Sequence, residues 1–127
     1  MPTRSPIQEA LWQRLSPVTR QDDGTFEATI TFDRDFIGFA GHFPGNPVVP
    51  GVCEIAAVEL LAQMIACNAN LRIRSILQLK FRAPLLPDDC ATFAVKLQEQ
   101  EDGNLLATAN ISTPQTANLA KIKLALK

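Results

Sequence analysis

Val52-Cys53-Glu54-Ile55-Ala56-Ala57-Val58-Glu59-Leu60-Leu61-Ala62-Gln63-Met64-Ile65-Ala66-Cys67-Asn68 is the most apolar run of the chain, and it is apolar at nearly every position. A helix that is hydrophobic all round must be surrounded on most sides by other structure, so the run predicts a helix over Val52 to Asn68 at the centre of the domain. It is shorter than the ~20 residues that cross a bilayer, and it carries Glu54, Glu59 and Gln63, so no membrane span is expected.

Downstream, four strand-like segments follow with no further helix: Leu71 to Ala83, Cys90 to Gln100, Asn104 to Ser112 and Ala117 to Lys127. In the first, Leu71, Ile73, Leu77, Leu79 and Phe81 are expected on one face and Arg72, Arg74, Lys80 and Arg82 on the other, as in an antiparallel sheet with one covered face. Upstream, Phe26, Ala28, Ile30 and Phe32 alternate with polar residues after the turn signal Asp22-Asp23-Gly24, the period of a half-buried strand. Pro6, Ile7, Ala10, Leu11 and Trp12 predict a short helix that stops before Ser16-Pro17, since the residue ahead of a proline is pushed away from helical angles. One strand, a central helix and then four strands is not the alternation of a doubly wound fold. The pattern predicts an α+β fold with an antiparallel sheet curled round the helix.

At 127 residues the chain has the length of a single domain, roughly 100 to 150 residues, read as one unit over 1–127. A net charge of −1 gives no general attraction to nucleic acid, and none is expected as a partner. Met1 to Gln13 lacks the apolar stretch of a secretory signal, which points to a cytoplasmic protein. Cys53, Cys67 and Cys90 are odd in number, without CxxC spacing and with only one His to join them, and read as reduced buried thiols rather than metal ligands.

Asp33 to Gly51 breaks every pattern, with Gly38, Gly41, Pro44, Gly45, Pro47, Pro50 and Gly51, and a loop of that length in a compact domain is usually functional. Within it Gly41-His42-Phe43-Pro44-Gly45-Asn46-Pro47-Val48-Val49-Pro50-Gly51-Val52 holds the only His of the chain in a loop stiffened by three prolines. Gly51 stands where the first helical N–H groups have no partner, and those donors at the positive end of the helix dipole suit a carbonyl oxygen. An imidazole beside a polarised carbonyl is a pair suited to removing the proton alpha to it.

The stretch His42-Phe43-Pro44-Gly45-x-Pro47-x-x-Pro50-Gly51-Val52 resembles the active-site motif of the beta-hydroxyacyl-acyl carrier protein dehydratases, hotdog-fold enzymes of fatty acid synthesis. Phe81 to Asp89 is similar to the family's strand-ending segment. The resemblance implies a hotdog fold, a homodimer or higher even oligomer with its sites at the subunit interface, and dehydration of a 3-hydroxyacyl thioester, linked to carrier protein or coenzyme A, to the trans-2-enoyl product. No metal or other cofactor is implied. His42 matches the catalytic base and Gly51 the residue whose N–H holds the thioester carbonyl. Phe43, Val52 and Gln63 join Gly51 as substrate contacts.

The family's acidic residue, fourteen positions after the His, is matched here by Ala56. Glu59-Leu60-Leu61-Ala62-Gln63 keeps the family's Glu-x-x-x-Gln spacing three residues later. A three-residue insertion after Val52 would restore Glu59 as the acid, whereas without one Glu59 lies ~4.5 Å further along the helix and about 60° round it. Glu59 is taken as the catalytic acid and Glu54, on a different face from Ala56, as the weaker substitute. Plainer readings stand beside these: a structural loop histidine, a Glu59 paired at the rim, a Gln63 satisfying nearby backbone, a Gly51 needed only for the turn, and a solvated basic face. The basic face also suits a carrier protein's acidic surface. Two other functions fit the same fold, an acyl thioesterase and a catalytically idle acyl-binding partner subunit.

Overall fold

The computed structural model describes residues 4–40, 45 and 47–127. Helix α1 spans Pro6–Arg14. The Ser5 hydroxyl accepts from Gln8 N–H at 3.2 Å while Gln8 Oε1 accepts from Ser5 N–H at 3.0 Å, a reciprocal cap that satisfies two orphan donors. The helix buries Ala10 and Leu11 and ends ahead of Ser16-Pro17, as the proline predicts. The strands are β1 (Thr19–Arg20), β2 (Phe26–Phe32), β3 (Ile73–Phe81), β4 (Asp89–Glu99), β5 (Leu105–Ser112) and β6 (Ala120–Leu126), with α2 (Gly51–Ile65) between β2 and β3. They form one antiparallel sheet in the order β1-β2-β4-β5-β6-β3. The two-residue β1 had no sequence signal, because so short a strand has no period to read.

Alternation in β2, β4, β5 and β6 puts Ile30, Phe93, Ile111, Ile122 and Leu124 on one face, each 0% exposed. Against that face lies α2, with Ala57, Val58 and Leu61 buried in the same core. Full burial of each large side chain stabilises by roughly 1.5–3 kcal/mol. An antiparallel sheet laid on one long apolar helix is the expected α+β hotdog arrangement.

Three expectations need correction. Helix α2 ends at Ile65, not Asn68: Cys67 takes φ 53°, its N–H donates to Met64 O at 3.2 Å, and Asn68 N–H donates to Gln63 O at 2.9 Å. These bonds form a Schellman closure. The faces of β3 differ too. Register shifts between Ile73 and Ser75 and between Ile76 and Gln78 reset the period, so Ile73, Ile76, Leu79 and Phe81 lie opposite Leu126, Leu124, Ile122 and Ala120, on the inner face. Leu77 leaves that set. Last, only Cys53 of the three thiols is buried, and Cys67 is exposed.

The centre of the fold is also less enclosed than so apolar a helix suggests. Val52 is 72% exposed, and Ile55, Ala56, Glu59 and Gln63 on the adjoining stripe are half-buried. Edge strand β3 leaves Ile76, Leu77, Leu79 and Phe81 exposed.

Candidate functional site

The site is built where the proline-rich loop enters α2. Val49 is buried, and its N–H donates to Leu85 O at 2.8 Å, which fixes the loop to the segment following β3. Pro50 then starts the helix without a side-chain cap. Its carbonyl accepts from Cys53 N–H at 2.9 Å and from Glu54 N–H at 3.4 Å. Among the described residues the N–H groups of Gly51 and Val52 have no acceptor. They are the orphan donors of a helix N-terminus, where the dipole favours negative charge.

Phe81, at the end of β3, lies against the backbone of Gly51: a Cβ built there would stand 3.1 Å from Phe81 Cζ. Glycine is what lets the ring, or a ligand, come this close. Val49, Gly51 and Glu54 face Phe81, Arg82, Ala83 and Pro84 across a cavity of about 310 Å3. Arg82 turns one guanidinium nitrogen away, donating to Asn118 O at 3.2 Å.

Glu54 is the only polar residue buried among the described residues, at 3% exposure, and its Oε1 has no hydrogen-bond partner there. Burial disfavours the charged form and pushes its pKa up to about 8, so the carboxyl is mainly protonated at neutral pH. The Cys53 thiol is pushed up as well, by burial first and by the Glu54 charge second.

Of the residues singled out by sequence, His42 and Phe43 lie outside the described residues. Gly51, Val52 and Glu54 come together in the first turn of α2. Glu59 and Gln63 stand elsewhere. Glu59 Oε2 accepts from Ile73 N–H at 3.0 Å and Oε1 from Gln8 Nε2 at 3.4 Å. Gln63 Nε2 donates to Leu71 O at 2.8 Å, the plainer of its two sequence readings. Both side chains tie α2 to the chain entering β3. Because α2 is continuous from Gly51, the residues after Val52 are helical, and Glu59 lies ~12 Å along the axis from Gly51. Sequence reading passed over the isolation of Glu54 and the ring of Phe81. The available signal was a lone carboxylate in the first turn of an apolar helix.

A second cavity, of about 370 Å3, opens between α1 and the end of α2 beside Trp12, Leu60 and Met64. The Arg4 guanidinium stacks 4.1 Å over the Trp12 ring. No group of three or more His, Cys, Asp or Glu among the described residues is arranged to hold a metal ion.

The family model and the curated relatives are dehydratases. A family model described as ApeI-like, ApeI dehydratase, matches residues 18–119. The 3-hydroxyacyl-acyl carrier protein dehydratase FabZ of Ehrlichia chaffeensis is 36% identical over 94 residues, covering 68% of this chain and 62% of the relative. FabZ of Levilactobacillus brevis is 29% identical over 119 residues, covering 87% of this chain and 78% of the relative. The chain therefore spans less than two thirds of the Ehrlichia relative's length. Among solved structures, the dehydratase heterocomplex ApeI:P from Xenorhabdus doucetiae aligns with TM-score 0.69 and 28% identity over 88% of this chain and 95% of that one.

Proposed function

The chain belongs to the ApeI-like dehydratase family, and we propose that it removes water from 3-hydroxyacyl thioesters, linked to acyl carrier protein or coenzyme A, to give trans-2-enoyl thioesters. The observation that carries this reading is the uncapped start of α2, where Gly51, whose N–H has no acceptor among the described residues, lines a cavity together with Phe81. A thioester carbonyl accepting that N–H is polarised, and the proton on the adjoining carbon becomes more acidic. His42 takes that proton, and the C3–O bond then breaks as the C2=C3 double bond forms. Phe43 and Val52 serve as apolar walls for the acyl chain. Gln63 acts indirectly, by holding α2 to Leu71.

The working unit is proposed to be a dimer in the cytoplasm, with exposed thiols kept reduced. Edge strand β3 with its bare Ile76, Leu77, Leu79 and Phe81 supports the dimer, since a second copy paired there would cover both the open edge and the apolar surface. The basic side chains of Arg72, Arg74 and Arg82 are proposed to meet the acidic surface of a carrier protein.

A second reading is favoured by Ala56 at the family's acidic position and by the heterocomplex in which the ApeI:P dehydratase was solved. In it this chain is an acyl-binding subunit without turnover of its own. Purified protein assayed on 3-hydroxyacyl and 2-enoyl thioesters separates the two. Turnover is expected, with His42→Ala lowering it by about 100 to 10,000-fold. A wild-type protein that binds these thioesters without converting them in either direction would establish the second reading.

A further inference from the structure

We propose that Glu54 is the catalytic acid of this chain, delivering the proton to the departing hydroxyl in place of the residue missing at Ala56. The proposal rests on the dehydratase reading and adds the identity of its proton donor. Elimination leaves an oxygen that must be protonated, and the methyl group of Ala56 has nothing to give. Glu59, the alternative with the family's spacing, already has both oxygens accepting hydrogen bonds, from Ile73 and Gln8.

Glu54 differs on every count. It lies three residues after Gly51, so the two sit on one face of α2 about one turn apart, and both line the same cavity. A thioester whose carbonyl is held at Gly51 N–H would bring its C3 hydroxyl toward that carboxyl. The carboxyl is 3% exposed, and its Oε1 is unpartnered among the described residues. A polar group buried without a partner costs stability, and a fold has no structural use for one. Among the described residues Glu54 is also the one carboxyl that lines the cavity at Gly51, where the reaction must protonate a hydroxyl. Ala56 is about 200° round the helix from Glu54, so the donor acts from the same subunit as the Gly51 that holds the carbonyl.

The step balances without a further reactant. His42 takes the C2 proton, the C3–O bond breaks with its electron pair on oxygen, and Glu54 gives that oxygen its proton, so water leaves. Imidazolium and carboxylate remain, and one proton returned from His42 to Glu54 restores the resting pair.

The test compares wild type, Glu54→Gln and Glu59→Gln on a 3-hydroxyacyl-coenzyme A thioester and on the corresponding enoyl thioester, with kcat and KM measured separately. Glu54→Gln is expected to lower kcat by at least about 100-fold with KM little changed, and Glu59→Gln to stay close to wild type. Wild-type turnover retained by Glu54→Gln, or lost instead in Glu59→Gln, would overturn the assignment while leaving the dehydratase reading intact. A wild-type protein inert in both directions would overturn the reading, and the acid with it. If Glu54→Gln does not fold, the wild-type pH profile decides. Dehydration, read as kcat/KM, must fall as pH rises through about 8, where Glu54 of the free protein loses its proton, and a kcat/KM that stays level through that range would overturn the proposal. Of the other groups near this carboxyl among the described residues, Arg82 lines the cavity, and burial raises the adjacent Cys53 thiol.

Discussion

Glu59 Oε2 accepts a hydrogen bond from the backbone N–H of Ile73 at 3.0 Å, the first residue of the edge strand. Its other oxygen takes the Gln8 side chain at 3.4 Å, so one carboxylate joins α1, α2 and β3. Removing it leaves a half-buried N–H unpaired. Glu59→Ala is expected to lower stability by about 1–3 kcal/mol, read as a drop in urea midpoint with an unchanged slope, while kcat moves less than about threefold.

Cys67 holds the left-handed position that closes α2, at φ 53°, where a side chain is strained and glycine is not. Its thiol is exposed and free, so nothing in the core depends on it. Cys67→Gly is expected to raise stability by roughly 0.5–1 kcal/mol, part of the gain being offset by the freer unfolded chain. Thermal melts of the two proteins check this. A lower midpoint in the variant would show that the sulfur contributes a contact of its own.

The same helix shows what could be read from residues alone and what could not. Its existence and central place followed from an apolar run too dense for a surface helix, β2 followed from a period of two, and β4, β5 and β6 from strand-like segments with no further helix among them. The stop at Ile65 did not, because a cysteine carries no signal for the left-handed turn it makes. The faces of β3 were misread because two bulges reset the alternation, and bulges leave no mark in a strand without glycine. In the site, Gly51 was legible from its proline-glycine setting. The contrast between Glu54 and Glu59 was not, since it turns on two long-range partners, Gln8 and Ile73, that spacing along the helix cannot supply.

Leu77 and Leu79 stand in an edge strand at 54% and 40% exposure, Leu79 on the face that also carries Ile76 and Phe81. Placing a charge there should leave the monomer's core intact, because neither side chain belongs to the fully buried set. If the proposed dimer pairs through β3, the double variant Leu77→Asp, Leu79→Lys is expected to sediment as a monomer at concentrations where the wild-type chain self-associates. Its activity should fall with dimer content. An unchanged dimer would move the interface away from β3.

Burial gives Glu54 a signature that can be read without any substrate. Its pKa rises from 4.5 to about 8 on folding, so between those values the folded chain holds a proton that the unfolded chain has released. Stability falls with pH wherever the folded state binds more protons. The contribution of Glu54 is therefore fully present below about pH 4.5, declines above it, and is lost once pH passes about 8. Gln has the same shape and does not titrate. Glu54→Gln is expected to be more stable than wild type at neutral and mildly alkaline pH, with the gap narrowing steadily toward acid, a stability gained where function is given up. Urea midpoints of both proteins across this range check the sign. Parallel curves would mean that Glu54 is ionised in the folded protein, leaving it no proton to hand to a leaving hydroxyl.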